Sequence, residues 1–302
     1  MKSKFIVVLL LLFSAFSLFA MGNKENSDDR LLVVTSFYPM YDFTKKVAGD
    51  RANVVNLVPS GTEPHDWEPS TRDLLTLEKA DVFIYSGKGM EHWVNDVLTS
   101  LNRSDLIVVE AGKDVTLLES STSHGEADPH IWLDVKNAIK EMGAIKDSLV
   151  QADSVNASYY EENYDHYLSL MSALDDEFIE KLKPYKGESI IVSHEAFGYL
   201  CSAYGLVQVG IDGLEPEGEP EPERMAYIQK FVKEHNVKTI FSAELVNSKV
   251  ATAIASETGA KVAFLSPLEG LTDEEAFSGG DYISVMKENL NALLLSFEGE
   301  IK

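Results

Sequence analysis

Apolar positions along the chain follow two rhythms. Short, nearly unbroken runs of Val, Ile and Leu at 31–37, 54–59, 81–87 and 106–111 have the length and branching of strands. Between them, 39–48, 70–79 and 91–101 space their apolar residues as helices do. The alternation then recurs, with strands expected at 189–193, 206–211, 239–243 and 261–265. Helices are expected at 196–204, 222–235 and 247–258, and a last one at 282–297. Strands that are apolar on both faces and separated by helices predict parallel sheets covered on both sides. The expected fold class is α/β, with two lobes that each hold a roughly four-stranded parallel sheet flanked by helices.

A glycine-free stretch, 157–182, separates the two halves. Its larger apolar side chains are Tyr160, Tyr164, Tyr167, Leu168, Met171, Leu174, Phe178 and Leu182, spaced by threes and fours on one helical face. At about 1.5 Å per residue the run makes a rod of roughly 39 Å, which Pro184 and Gly187 end. The expected division is a leader or anchor at 1–20, a first lobe at 21–156, a linking helix at 157–183 and a second lobe at 184–302. Each lobe is long enough for a core of its own, and one stiff helix limits how far the two can hinge. The segment 215–223 alternates Pro and Glu, which reads as an extended surface loop.

Composition narrows the partners. A formal charge of -23 repels nucleic acid and anionic lipid and attracts cations. Lys2 and Lys4 precede an apolar run from 5 to 20 and a polar exit, the pattern of an export signal, although an uncleaved anchor fits as well. The expected location is the periplasm or the outer face of the cytoplasmic membrane. The one cysteine is Cys201, so no internal disulfide forms. No cysteine follows the apolar run, and on that criterion the chain is expected not to be a lipoprotein.

Placement sorts the seven histidines. His65 lies just past the second strand of the first lobe, His130 downstream of its fourth, and His194 directly after the first strand of the second lobe. Asp281 follows the last strand, after Gly279 and Gly280. All four leave the carboxyl ends of expected strands, the edge where open parallel sheets bind ligands. Three imidazoles and a carboxylate make a tetrahedral shell for zinc. Taken singly, a loop histidine is more often solvated than a ligand, and Asp281 reads as a helix cap. Placement alone leaves both readings standing. Asp66, Asp134 and Glu195 adjoin these residues and could orient the imidazoles. His92, His166 and His235 fit surface or helix-end roles, and His124 lies in a polar loop.

Several motifs carry a family resemblance: GTEPHDWEPS at 61–70, DPHIWLD at 128–134, SHEAFGY at 193–199 with YGL at 204–206, KEHNV at 233–237, ETGA at 257–260, PLEGL at 267–271, and Asp281-Tyr282. With them the chain resembles the zinc/manganese-binding solute receptors of ABC importers, whose two lobes are linked by a rigid helix. The resemblance implies that His65, His130, His194 and Asp281 are the metal ligands. It also implies capture of one ion outside the cytoplasmic membrane and delivery to a membrane permease driven by an ATPase, by a monomer that is not an enzyme. Only His124 remains of the His-rich loop that many zinc members carry, and Glu244 is given no role. Three nitrogen donors favour Zn2+ over Mn2+ or iron. The other classes weighed are a zinc hydrolase, for which no His-Glu-x-x-His is present, and a surface adhesin.

Overall fold

The computed structural model describes residues 30–119, 127–214, 222–243 and 249–301. The leader at 1–20, His124, Glu244 and most of the Pro/Glu loop lie outside the described residues.

The first half runs β1 (Leu31–Thr35), α1 (Tyr38–Ala48), β2 (Ala52–Asn56), α2 (Thr71–Leu77), β3 (Val82–Tyr85), α3 (Val94–Leu101) and β4 (Ile107–Glu110). A short 3-10 turn, Ile131–Leu133, leads into α4 (Val135–Ala152). The long helix α5 (Ala157–Leu182) follows. The second half runs β5 (Ser189–Val192), α6 (Gly198–Tyr204), β6 (Val207–Gly210), α7 (Pro222–Glu234), β7 (Thr239–Ser242), α8 (Lys249–Thr258), β8 (Lys261–Phe264), α9 (Asp273–Ser278) and α10 (Tyr282–Glu298). The sheets have the same parallel topology, β2-β1-β3-β4 and β6-β5-β7-β8. The α/β class with two four-stranded sheets and a long joining helix is therefore observed.

Side-chain alternation shows how the layers close. In the first sheet Val33 pairs with Val82 and Val34 with Phe83. Val33, Val82 and Ile84 face one core, while Val34 and Phe83 face another on the opposite side. The second sheet does the same, with Ile190, Val192 and Phe241 on one face and Ile191 and Ile240 on the other. Every one of these residues is at most 1% exposed, as expected of strands buried on both faces.

The inner faces share a single core. It runs from Val33 and Phe37 through Trp132, Met142 and Ile145 to Phe178, Val192 and Leu290. A separate core in each lobe is what the chain length predicts. The structure instead has one continuous core between the sheets and a smaller one outside each sheet. Helix α5 takes part in it through Tyr160, Met171, Leu174, Phe178 and Leu182, so it is a packed element and not a free strut. Helix α4, 18 residues long, is an element the strand-and-helix alternation did not predict. Asp134 caps it by accepting from the Lys136 backbone N–H at 2.9 Å.

Candidate metal centre

Loops leaving the carboxyl ends of both sheets meet in the cleft between them. His65 comes from the loop after β2, His130 from the turn ahead of α4, and His194 from the residues directly after β5. Glu269 comes from the loop after β8. Their ligand-type atoms all lie within 4.8 Å of one another. His130 Nε2 stands 3.1 Å from both His65 Nε2 and His194 Nε2. Glu269 Oε1 stands 2.9 Å from His130 Nε2, 3.1 Å from His194 Nε2 and 3.3 Å from His65 Nε2. Bonds of about 2.0–2.1 Å to a tetrahedral zinc ion would set its donors about 3.3 Å apart. Five of the six edges measure 2.9–3.3 Å, close to that spacing, and the His65–His194 edge lies within 4.8 Å.

All four side chains are buried, and Glu269 is only 1% exposed. Its second oxygen, Oε2, is buried with no hydrogen-bond partner. A buried carboxylate oxygen left unpaired is costly unless something binds it. Burial opposes the charge of Glu269, but His194 and the hydrogen bonds from His130, His194 and His65 hold its carboxyl well below the ordinary carboxylate range. Burial likewise opposes charge on His130, yet bonds and charges from Asp128 and Glu269 outweigh it and push its imidazole up to about 9. The His130 imidazole and the Glu269 carboxylate thus face each other as a charge-assisted pair at 2.9 Å.

The group has supports behind it. Asp128 Oδ1 accepts from the ring Nδ1 of His130 at 2.8 Å, which leaves Nε2 to face the ligand position. The ring Nδ1 of His194 lies 3.3 Å from the Gly213 carbonyl oxygen. Glu63 Oε1 accepts the backbone N–H of His65 at 3.2 Å. Burial and the neighbouring charge of Glu269 push the Glu63 carboxyl up to about 7. Of the residues that sequence adjacency suggested as orienters, Asp66 is exposed and Asp134 is a helix cap.

The structure brings His65, His130 and His194 together but does not bring Asp281 to them. Asp281 caps α10, accepting from the Ser284 backbone N–H at 2.8 Å, and its other oxygen pairs with Lys46 at 2.9 Å. Burial works against its charge, yet the bonds from Lys46 and Ser284 hold the carboxyl below its usual range. A carboxylate committed to a helix terminus and an ammonium is not available to the cleft. Glu269, twelve residues earlier, takes the fourth position. The remaining described histidines stand apart: exposed His92 pairs with Glu68 at 3.0 Å, His235 stacks on Phe231, and His166 is exposed on α5.

Fold and donor set define a class: a two-sheet protein whose described residues place a closed, buried group of transition-metal ligand types in the cleft between its sheets. The family model for the zinc-uptake complex component A, periplasmic, matches residues 33–294, and the chain belongs to that family. It is 41% identical to the high-affinity zinc uptake system protein ZnuA of Bacillus subtilis, over 90% of this chain and 89% of the relative. It is 39% identical to the zinc-binding lipoprotein AdcA of Streptococcus pneumoniae, over 96% of this chain but only 60% of that longer protein. The crystal structure of the Zn(II)-bound ZnuA-like domain of AdcA superposes with a TM-score of 0.79 at 40% identity, covering 88% of this chain and 98% of that domain.

These relatives correct one expectation. The absence of a cysteine after the apolar run argues against a lipoprotein, but a relative that matches 96% of this chain is named a lipoprotein. Cysteine content near one end is a local feature, whereas the match is carried by the entire folded body. The exclusion does not stand.

Proposed function

We propose that this chain is the extracytoplasmic receptor of an ABC importer, that it captures one Zn2+ ion as cargo, and that His65, His130, His194 and Glu269 are the ligands. The observation that carries this reading is the buried three-histidine, one-glutamate group, whose donor spacings suit a tetrahedral ion and whose carboxylate keeps one oxygen unpaired. Three nitrogen donors and one oxygen favour zinc over manganese, which prefers more oxygens and a larger shell. Relatives named for zinc uptake and zinc binding support the same choice.

Four protein donors fill a tetrahedral shell and leave no position for an activated water, which sets the site apart from a hydrolytic zinc centre. The protein is a transport component and not an enzyme. Its cargo passes to a membrane permease coupled to an ATPase. All four ligands come from one chain, which supports action as a monomer. In this reading the first lobe, 21–156, supplies His65 and His130. The second lobe, 184–302, supplies His194 and Glu269, with helix 157–183 between them. The shared core opposes a wide hinge, so release proceeds by loosening the ligand loops.

Zinc titration of the purified, metal-free chain tests the proposal. One equivalent bound tightly, and displaced poorly by excess manganese, is the expected result. Absence of stoichiometric zinc binding overturns it.

A further inference from the structure

The segment that carries Glu269 leaves β8, makes an excursion through α9 and returns at α10. Both ends of that excursion are tied to one residue of the first half of the chain, Trp132. At the outgoing end, the Trp132 indole Nε1–H donates to the Pro267 carbonyl at 2.8 Å. At the returning end, the Tyr282 hydroxyl donates to the Trp132 carbonyl at 2.7 Å. Trp132 is fully buried, with its ring edge-on to Phe37 at 4.9 Å and tilted against His130 at 5.5 Å. One residue thus joins the turn of a cleft histidine to both ends of the segment bearing the carboxylate, the outgoing end through its side chain and the returning end through its backbone carbonyl.

Between Pro267 and Glu269 stands Leu268, with φ of 57°. A bulky residue in the left-handed region is strained and persists only where its surroundings over-determine it. The surroundings here are specific. Leu268 is fully buried, and its N–H donates to Ser266 Oγ at 3.3 Å. The Asn289 side chain grips Ser266, accepting from its N–H and donating to its carbonyl, both at 2.8 Å. With Ser266 held from below and Pro267 held by the indole, the peptide at Leu268 is turned so that Glu269 points at the histidines.

We propose that Trp132 is the positioning residue for the fourth ligand: its hydrogen bond to Pro267 maintains the left-handed turn at Leu268 that presents Glu269. This rests on the reading that Glu269 and the three histidines hold zinc. It assigns Trp132 no contact with the ion. The coupling runs through the backbone, from an indole in the first half of the chain to a ligand in the second.

Trp132→Phe keeps a buried ring and deletes the N–H, so it tests the bond. Zinc affinity should fall roughly 10- to 100-fold, the range found when groups supporting a metal ligand are removed, with most of the change in the dissociation rate. In a Glu269→Ala background the same substitution should change affinity by less than about 3-fold, because the ligand it positions is gone. The visible spectrum of cobalt-loaded Trp132→Phe should move toward that of cobalt-loaded Glu269→Ala. Tyr282→Phe, which deletes only the returning bond, should show the same dependence on Glu269 with a smaller effect, and it carries the test if Trp132→Phe does not fold. Equal loss with and without Glu269, or wild-type affinity and spectrum in both variants, overturns the inference. Failure of the unsubstituted chain to bind zinc sinks the underlying reading instead.

Discussion

Asp128 holds His130 twice through a single oxygen. Its Oδ1 accepts from the His130 backbone N–H at 2.9 Å and from the ring Nδ1 at 2.8 Å, so both the position and the tautomer of the imidazole are set together. The opposite face of the carboxylate is crowded: a Cβ added at Gly198 would lie 2.4 Å from Asp128 Oδ2. Asp128→Asn should therefore weaken zinc binding roughly 10- to 100-fold with little change in fold. Gly198→Ala should weaken it in the same direction by displacing Asp128. Zinc competition against a chelator of known affinity checks both, and unchanged affinity in Asp128→Asn would remove the carboxylate from its orienting role.

Asp281 separates a ligand from a cap. Asp281→Ala should leave zinc affinity within about 3-fold of wild type while lowering stability. The lost cap costs about 1 kcal/mol. The Lys46 pair adds little, because the Asp281 side chain is 37% exposed and screened by water, and Lys46 keeps Asp42 at 2.5 Å. At roughly 2–4 °C per kcal/mol for a chain of this size, the melting point should drop by a few degrees. A loss of zinc affinity comparable to that of Glu269→Ala would return Asp281 to the metal shell.

Much of this was legible from the sequence. All eight strands fall within or beside the runs of Val, Ile and Leu, and α5 covers the stretch its heptad-like spacing marked, because in both cases burial dictates the residue pattern. The histidines were legible from their place at strand ends. Helix α4 was not, since it begins at a cap that follows the ligand motif and its apolar residues serve the shared core. The carboxylate that joins the three histidines was also missed. Glu269 sits in the PLEGL motif just past β8, and so meets the strand-end criterion better than Asp281, which lies beyond α9. Strand-end placement and the family resemblance favour Asp281 as a ligand over its reading as a helix cap, and the cap is what the structure shows. The shared core and the Trp132 ties are long-range and leave no local signature.

The proton carried by His130 makes zinc uptake pH-dependent. The His130 imidazole is raised to about 9 in the fold, above about 6.5 in an unfolded chain. Its stabilising effect on the metal-free protein is fully present below about pH 6.5 and lost as pH rises through 9. Glu269 is lowered, so its contribution is present above its unfolded pKa near 4.3 and lost as pH falls through its folded value. Zinc must displace the His130 proton, so apparent affinity should rise with pH up to about 9, with proton release measurable by titration in buffers of different ionisation enthalpy. Affinity independent of pH between 6 and 9 would contradict this.

Glu141 tests the shared core. It is fully buried, accepts from Ser86 Oγ at 2.9 Å, and leaves Oε2 unpaired. Burial pushes its carboxyl up to about 8, against the ordinary value of 4.5. A raised acid stabilises relative to the unfolded chain only while protonated on both sides, so stability is lost progressively from about pH 4.5 to 8. At pH 7 the accumulated loss is on the order of 3 kcal/mol. Glu141→Gln, neutral throughout, should raise stability at pH 7–8 and flatten the slope between pH 5 and 8. Denaturant unfolding of the zinc-loaded protein, where His130 is fixed, would show it, and an unaltered slope would place the titration elsewhere.

The position of the ion decides whether Glu269 or Asp281 completes the shell. Anomalous diffraction at the zinc edge, from crystals of the chain loaded with one equivalent of zinc, locates it directly. The predicted result is a single peak at about 2.0–2.2 Å from His65 Nε2, His130 Nε2, His194 Nε2 and a Glu269 carboxylate oxygen, with Asp281 still paired to Lys46. A peak bonded to Asp281, or zinc bound with Glu269 turned away, would contradict it.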